Sequence, residues 1–159
     1  AAFRLPWMGG VRALFSSNER KAVDGAEILA EALSLPVTKL EDLGENDRSS
    51  TGYLPKLEFE TMADAFFARP QESVRGWERA IDAQHRIVAA MEEVLRRAPG
   101  GGDVAVVSHG GVGALYLCHL QGRSIGRDAD QPVTNGGNYY AFTAEDRRLL
   151  HGWRGIDGV

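Results

Sequence analysis

One cysteine in 159 residues rules out an intramolecular disulfide, so this is not a small secreted domain held together by cross-links. That residue, Cys118, sits in the apolar run Leu115-Tyr116-Leu117-Cys118, where a small buried hydrophobe is the expected role. Long apolar runs are missing too: no stretch could span a bilayer, and no basic flank followed by an apolar block opens the chain. Basic charge is in the minority, with 18 Lys and Arg against 22 Asp and Glu and a formal net charge of −4. Such a surface repels nucleic acid and anionic membrane, so neither is expected as a partner, and an anionic substrate must meet a local basic pocket. A soluble cytoplasmic protein is the expectation. The chain opens at Ala1 without methionine, which leaves room for a segment upstream.

What is present is enough for a core. At 43% apolar and 25% charged residues, the whole chain, 1–159, reads as a single compact domain. Val11 to Phe15 form a short apolar run ending in Ser16-Ser17-Asn18, after which Ala22, Ala26, Leu29 and Leu33 step at helical spacing. A strand gives way to a helix there, with Ser16 or Asn18 as its N-cap. From Pro36 to Ser73 the chain reads as an excursion over one face, holding a short helix in which Phe59, Met62 and Phe66 share a side with Phe67 beside them. A long helix follows, with the stripe Trp77, Ile81, Gln84, Val88, Met91 and Leu95 and a stop at Pro99 and three glycines.

Val104 to Val107 is a β-branched and small apolar run of the kind buried on both faces of a parallel sheet. It ends in Ser108-His109-Gly110-Gly111, and the nearly all-apolar Val112 to Leu120 fits a buried helix. Tyr139 to Thr143 and Leu149 to Trp153 read as a closing hairpin. Two strand-loop-helix units of this kind predict an α/β fold: a three-layer sandwich with a mostly parallel open sheet and helices on both faces.

In such sheets ligands gather beyond the carboxyl ends of the strands, where helix N-termini offer free amides to an anion. Both polar clusters lie at that edge. His109 stands out, because the strand fixes its ring while Gly110 and Gly111 let a ligand or backbone come close. Lys21 falls in the first turn of the first helix, where a cation opposes the macrodipole unless an anion is near, and Glu19 could serve as that anion. His85, His119 and His151 have structural or solvated readings. The histidines and carboxylates show no metal-ligand spacing such as His-x-x-x-His, so neither a metal nor a cofactor is expected. Gly122-Arg-Ser124-Ile-Gly126 matches Gly-x-Ser-x-Gly without the strand and helix that a nucleophile elbow needs. Gly110-Gly-Val-Gly113 lacks the third glycine of a dinucleotide site.

Val104-Ala-Val-Val-Ser-His-Gly-Gly-Val112 resembles the second-histidine motif of the histidine phosphatase (phosphoglycerate mutase-like) superfamily. Leu14-Phe-Ser-Ser-Asn-Glu-Arg-Lys-Ala-Val-Asp-Gly-Ala-Glu-Ile-Leu-Ala30 resembles its Ser-Ser-Pro-Leu-x-Arg segment, Leu43-Gly-Glu45 its Leu-x-Glu, and Pro70-Gln-Glu-Ser73 its Gly-Glu-Ser element. Order and spacing agree across most of the chain. The resemblance implies a phosphate-binding pocket that includes Lys21, Ser17 and Gly110, with His109 donating to the phosphoryl oxygens and Glu45 as general acid and base, a role that calls for a raised pKa. Glu72 is the reserve acid, and Arg48 and Arg69 are candidate substrate contacts from the excursion. Lys21 stands where the family has an arginine, which keeps the charge and loses the bidentate fork.

The opening Arg-His-Gly strand of that family, which bears the phosphorylated histidine, is not in these residues; the chain contains no Arg-His pair. Its expected place is before Ala1, making Ala1 to Met8 the tail of the helix that follows it. The resemblance then implies phosphomonoester hydrolysis through a phosphohistidine, acting on a small phosphorylated substrate, with a homodimer compatible. Its alternatives are a phosphoglycerate mutase-like phosphotransferase and an inactive member that binds a phosphorylated ligand or protein. Without the upstream strand the chain is expected to be inactive.

Overall fold

A computed structural model describes residues 5–132 and 137–156. Strand β1 (Val11–Ser16) leads into helix α1 (Arg20–Leu33), and β2 (Val37–Lys39), α2 (Lys56–Ala68), α3 (Ala80–Arg97), β3 (Asp103–Val107), α4 (Gly110–Leu120) and the strands β4 (Asn138–Phe142) and β5 (Leu149–Gly155) follow. The first three strands form a parallel sheet in the order β2-β1-β3, while β4 and β5 form a separate antiparallel pair. The α/β sandwich with an open parallel sheet is therefore as expected. Successive side chains of a strand leave on opposite faces. Phe15 joins the main core with Trp77, Ile87, Val112 and Leu115 from the α3 and α4 side, whereas the buried Leu14 stands outside that cluster, toward the face on which α1 packs.

Local structure departs from the sequence reading in five places. Glu19, not Ser16 or Asn18, is the N-cap of α1, and its side chain makes no capping bond. The excursion contains a third parallel strand, β2, too short and too exposed to leave an apolar signature. Trp77 precedes α3 rather than heading its stripe, and the face that α3 buries is Ala80, Ala83, Ile87, Ala90 and Val94 with Met91; small alanines let α4 approach, and the larger Ile81, Val88 and Leu95 flank the contact. Val104 to Val107 are half-buried rather than enclosed, because β3 pairs with β1 alone among the described residues. Leu5 to Trp7 are not helical, and Met8–Gly10 make a single 3-10 turn, so the described part of the predicted helix tail is absent. Ala1 to Arg4 lie outside the described residues; of Asn135 to Asn138, which the sequence reads as a glycine-rich turn, so do Asn135 and Gly136.

The core holds the site's two sides at fixed separation. Trp77 is 1% exposed, and its indole N–H donates to Thr51 Oγ1 at 2.9 Å, tying the excursion to the start of α3. Helix α4 buries Val112, Ala114, Leu115, Tyr116, Leu117 and Cys118, each large aliphatic contributing roughly 1.5–3 kcal/mol. The hairpin is fastened to the same helix by the Tyr140 hydroxyl, which donates to the Gly113 carbonyl at 2.8 Å, and to the 3-10 turn Arg127–Ala129 by the Trp153 indole N–H, which donates to the Ala129 carbonyl at 2.8 Å. No helix of the described residues is long and apolar enough to cross a membrane.

Candidate active site

The carboxyl ends of β1 and β3 lie side by side, Ser16 opposite Val107, so the loops that follow them meet. Ser17 and His109 come together as a result. His109 is the N-cap of α4, with only 11% of its side chain exposed, and its Nε2 lies 2.7 Å from Oγ of the fully buried Ser17. The same nitrogen is 2.9 Å from the Glu19 carboxylate. Nε2 thus faces the Ser17 hydroxyl, with which its role as donor or acceptor follows the ring tautomer, and the Glu19 carboxylate at ion-pair distance.

Glu45 enters from the loop after β2. Its two carboxylate oxygens accept the backbone N–H groups of Gly111 and Val112, each at 2.9 Å, and Oε1 also accepts the Asn46 amide at 3.1 Å. These are free donors at the positive end of α4, where a negative charge is favoured. Glu19 closes the group: it accepts the Glu45 backbone N–H at 2.6 Å. The glycines of His-Gly-Gly have a steric reason here. A β-carbon on Gly111 would lie 2.5 Å from a Glu45 oxygen, and one on Gly110 2.3 Å from the Gln131 side-chain nitrogen. Gly111→Ala should cost the wild type about 1–2 kcal/mol by evicting the helix cap, yet leave Glu45→Ala unchanged or slightly more stable, since alanine is the better helix former. Equal losses in the two backgrounds on thermal melting would show that the residues do not touch.

Arg48 lies 3.7 Å from Glu45 and 4.8 and 5.2 Å above the rings of Phe59 and Trp77. Arg48, Phe59 and Trp77, with Tyr53 and Lys56, line a groove of about 420 Å³. Lys21, on the first turn of α1, is exposed and makes no bond or ion pair among the described residues; Glu19, expected as its partner, turns to His109 instead. Arg69 and Glu72 pair with each other at 3.2 Å, both exposed, and no bond joins them to the His109 group. The bland readings of the other histidines agree with their positions: His85 is exposed, His119 is exposed and stacks on Tyr116, and His151 packs against Tyr139. Ser124 of the Gly-x-Ser-x-Gly match is exposed after α4, with no strand before it.

Sequence reasoning missed three groups. Glu19 is one, Gln131 beside Gly110 is the second, and Asp130 is the third. Burial pushes the Asp130 carboxyl above the usual range; the Gln131 amide and Arg127 oppose this, and the charges of Glu45 and Glu60 add to it. The signal available was the polar run Arg127-Asp-Ala-Asp130 just past an apolar helix, anchored here by Arg127, which pairs with Glu60 and Asp64 on α2.

Backbone amides at a helix N-terminus, an imidazole donor and a buried hydroxyl, gathered beyond the carboxyl ends of parallel strands, define an α/β protein with a site for an anion. Residues 5–154 match the model of the histidine phosphatase superfamily (branch 1), and the chain belongs to that superfamily. No match was found among curated proteins. Among solved structures the chain is similar to mycobacterial hydrolase 1, with 24% identity and a TM-score of 0.62 over 76% of this chain and 63% of that one. It is similar also to a mycobacterial glucosyl-3-phosphoglycerate phosphatase, with 21% identity and a TM-score of 0.67 over 92% and 77% of the two chains. The same identity and TM-score relate it to Bacillus stearothermophilus YhfR, over 89% and 72%. At these identities the likeness is one of fold, and the chain spans less than two thirds of the first of these relatives.

Proposed function

We propose that the chain is the larger part of a phosphomonoester hydrolase that works through a phosphohistidine, its nucleophile supplied by a strand upstream of residue 1. The observation that carries this reading is the convergence of the His109 Nε2, the Ser17 hydroxyl and the α4 amides on one rim. Two further observations support the upstream strand. Among the described residues the outer edge of β3 has no strand partner, and β4 pairs with no strand but β5. An unpaired edge next to half-buried Val104, Val106 and Val107 is what a sheet normally covers.

In this scheme the upstream imidazole nitrogen attacks phosphorus in line, an N–P bond forming as the P–O bond to the leaving alcohol breaks, and water later displaces the phosphoryl group. His109 donates to the equatorial oxygens, with Lys21, Ser17 and the Gly110 turn as the remaining phosphate contacts. Glu45, once it has left the Gly111 and Val112 amides that engage both its oxygens and has taken up a proton from solvent, protonates the departing alkoxide and regains a proton from the attacking water. Arg48, in its aromatic groove beside Glu45, is placed to meet the leaving group.

The test compares p-nitrophenyl phosphate hydrolysis by the 159-residue chain and by a version extended upstream. Turnover, with acid-labile phosphate trapped on the protein, is expected only from the extended form, and equal turnover by both would remove the upstream nucleophile. A second reading, a non-hydrolytic member that binds a phosphorylated ligand, is favoured by one observation: Glu19 and Glu45 already occupy the donors a phosphate would use. Phosphate binding without turnover in the extended form would select it.

A further inference from the structure

Glu19 spends its side chain on neither of the tasks its position offers. It is the N-cap of α1, with extended backbone (φ −74°, ψ 139°), but makes no bond to the amides of its own helix. Its carboxylate instead reaches across to the next loop, 2.9 Å from His109 Nε2 and 2.6 Å from the Glu45 backbone nitrogen. Gly44 makes room for it: a β-carbon there would lie 3.1 Å from the same carboxylate oxygen.

The donors at this rim thus fall into two sets, each holding one carboxylate from the chain itself. Glu45 holds the α4 amides and Glu19 holds the imidazole. The two differ in how firmly they are kept. Glu45 is 15% exposed, and Arg86 grips the carbonyls of Asp42, Gly44 and Glu45 behind it. Glu19 is 52% exposed, on a flexible stem that can swing into water with no loss of core contact.

We infer that Glu19 is a displaceable internal ligand: its carboxylate stands 2.9 Å from the His109 Nε2 in the empty site, and a phosphoryl group binds by expelling it. The inference rests on the phosphate reading of the rim and adds a competitor to it. A phosphoryl oxygen bonded to that nitrogen needs the space the Glu19 carboxylate fills. A tetrahedral dianion on His109 would also stand within a few ångströms of that carboxylate, a repulsion softened but not abolished by solvent.

Titration calorimetry with inorganic phosphate, on the upstream-extended form and its Glu19→Gln and Glu19→Ala variants, tests this. Both variants should bind phosphate on the order of tenfold more tightly than the wild type. Glu27→Gln, which removes an exposed carboxylate from the same helix, should leave affinity unchanged, separating local displacement from net charge. The His109 ring nitrogen resonances should move in Glu19→Gln before any phosphate is added, and the backbone amide spectrum reports that the variants are folded. Affinity that is the same or weaker in both Glu19 variants, or raised equally by Glu27→Gln, overturns the inference and leaves the phosphate site standing. Absence of phosphate binding in every variant overturns the phosphate reading, and the inference with it.

Discussion

His109→Ala, made in the extended, hydrolytically competent form, is expected to lower kcat for p-nitrophenyl phosphate by 10²–10³-fold, on the order of 3–4 kcal/mol of transition-state stabilisation. The loss is that of a fixed N–H donor aimed at oxygens that gain charge as phosphorus is attacked. It should fall on kcat more than on KM, because the charge on those oxygens grows toward the transition state, while in the empty protein the Glu19 carboxylate already stands 2.9 Å from the ring nitrogen. The ring is partly exposed and makes no other side-chain bond among the described residues than those to Ser17 and Glu19, so the thermal midpoint should fall by only a few degrees. Unchanged kcat in a folded variant would take His109 out of the chemistry.

Arg86→Ala should have the largest effect on stability among polar substitutions. Its guanidinium donates to the carbonyls of Asp42 and Gly44 at 2.8 Å each, to that of Glu45 at 3.2 Å, and to both oxygens of Glu78 at 2.9 and 3.2 Å. Burial works to lower its pKa, but the Glu78 hydrogen bond and the charges of Glu78, Asp42 and Glu45 outweigh burial, and the net shift is upward. Truncation leaves Glu78 unpaired and three carbonyls without their donor. With both partners about one-fifth exposed, the expected cost is about 2–4 kcal/mol, below that of breaking a fully buried pair. Urea denaturation measures it. Adding Glu78→Gln should recover part of the loss, since the stranded charge is gone; strict additivity of the two substitutions would deny the pairing.

Much of this architecture was legible in the chain because its elements repeat at the period of their own geometry. Short apolar runs marked β1 and β3, the second by its β-branching, and the apolar block after His-Gly-Gly marked α4. The face of α3 was misread for a physical reason: large apolar residues were taken to point inward, but half of the buried face is alanine, which carries little hydropathy and allows close approach. Strand β2 escaped because Val37, Thr38 and Lys39 are stabilised by pairing with β1 rather than by burial. At the site, His109 was singled out from residue type and position, while Ser17 and Glu45 came from the family resemblance. Glu19, Asp130 and Gln131 were found by neither, since what matters in each is the direction a polar side chain takes out of a loop, and no periodicity encodes that.

The side of β3 that has no strand partner among the described residues has a further consequence for handling the 159-residue chain. A row of backbone amides and carbonyls with no ladder opposite can accept an extended peptide from any source, so a synthetic strand supplied in solution and a neighbouring molecule at high concentration compete for one slot. Whichever docks first decides between complementation and precipitation.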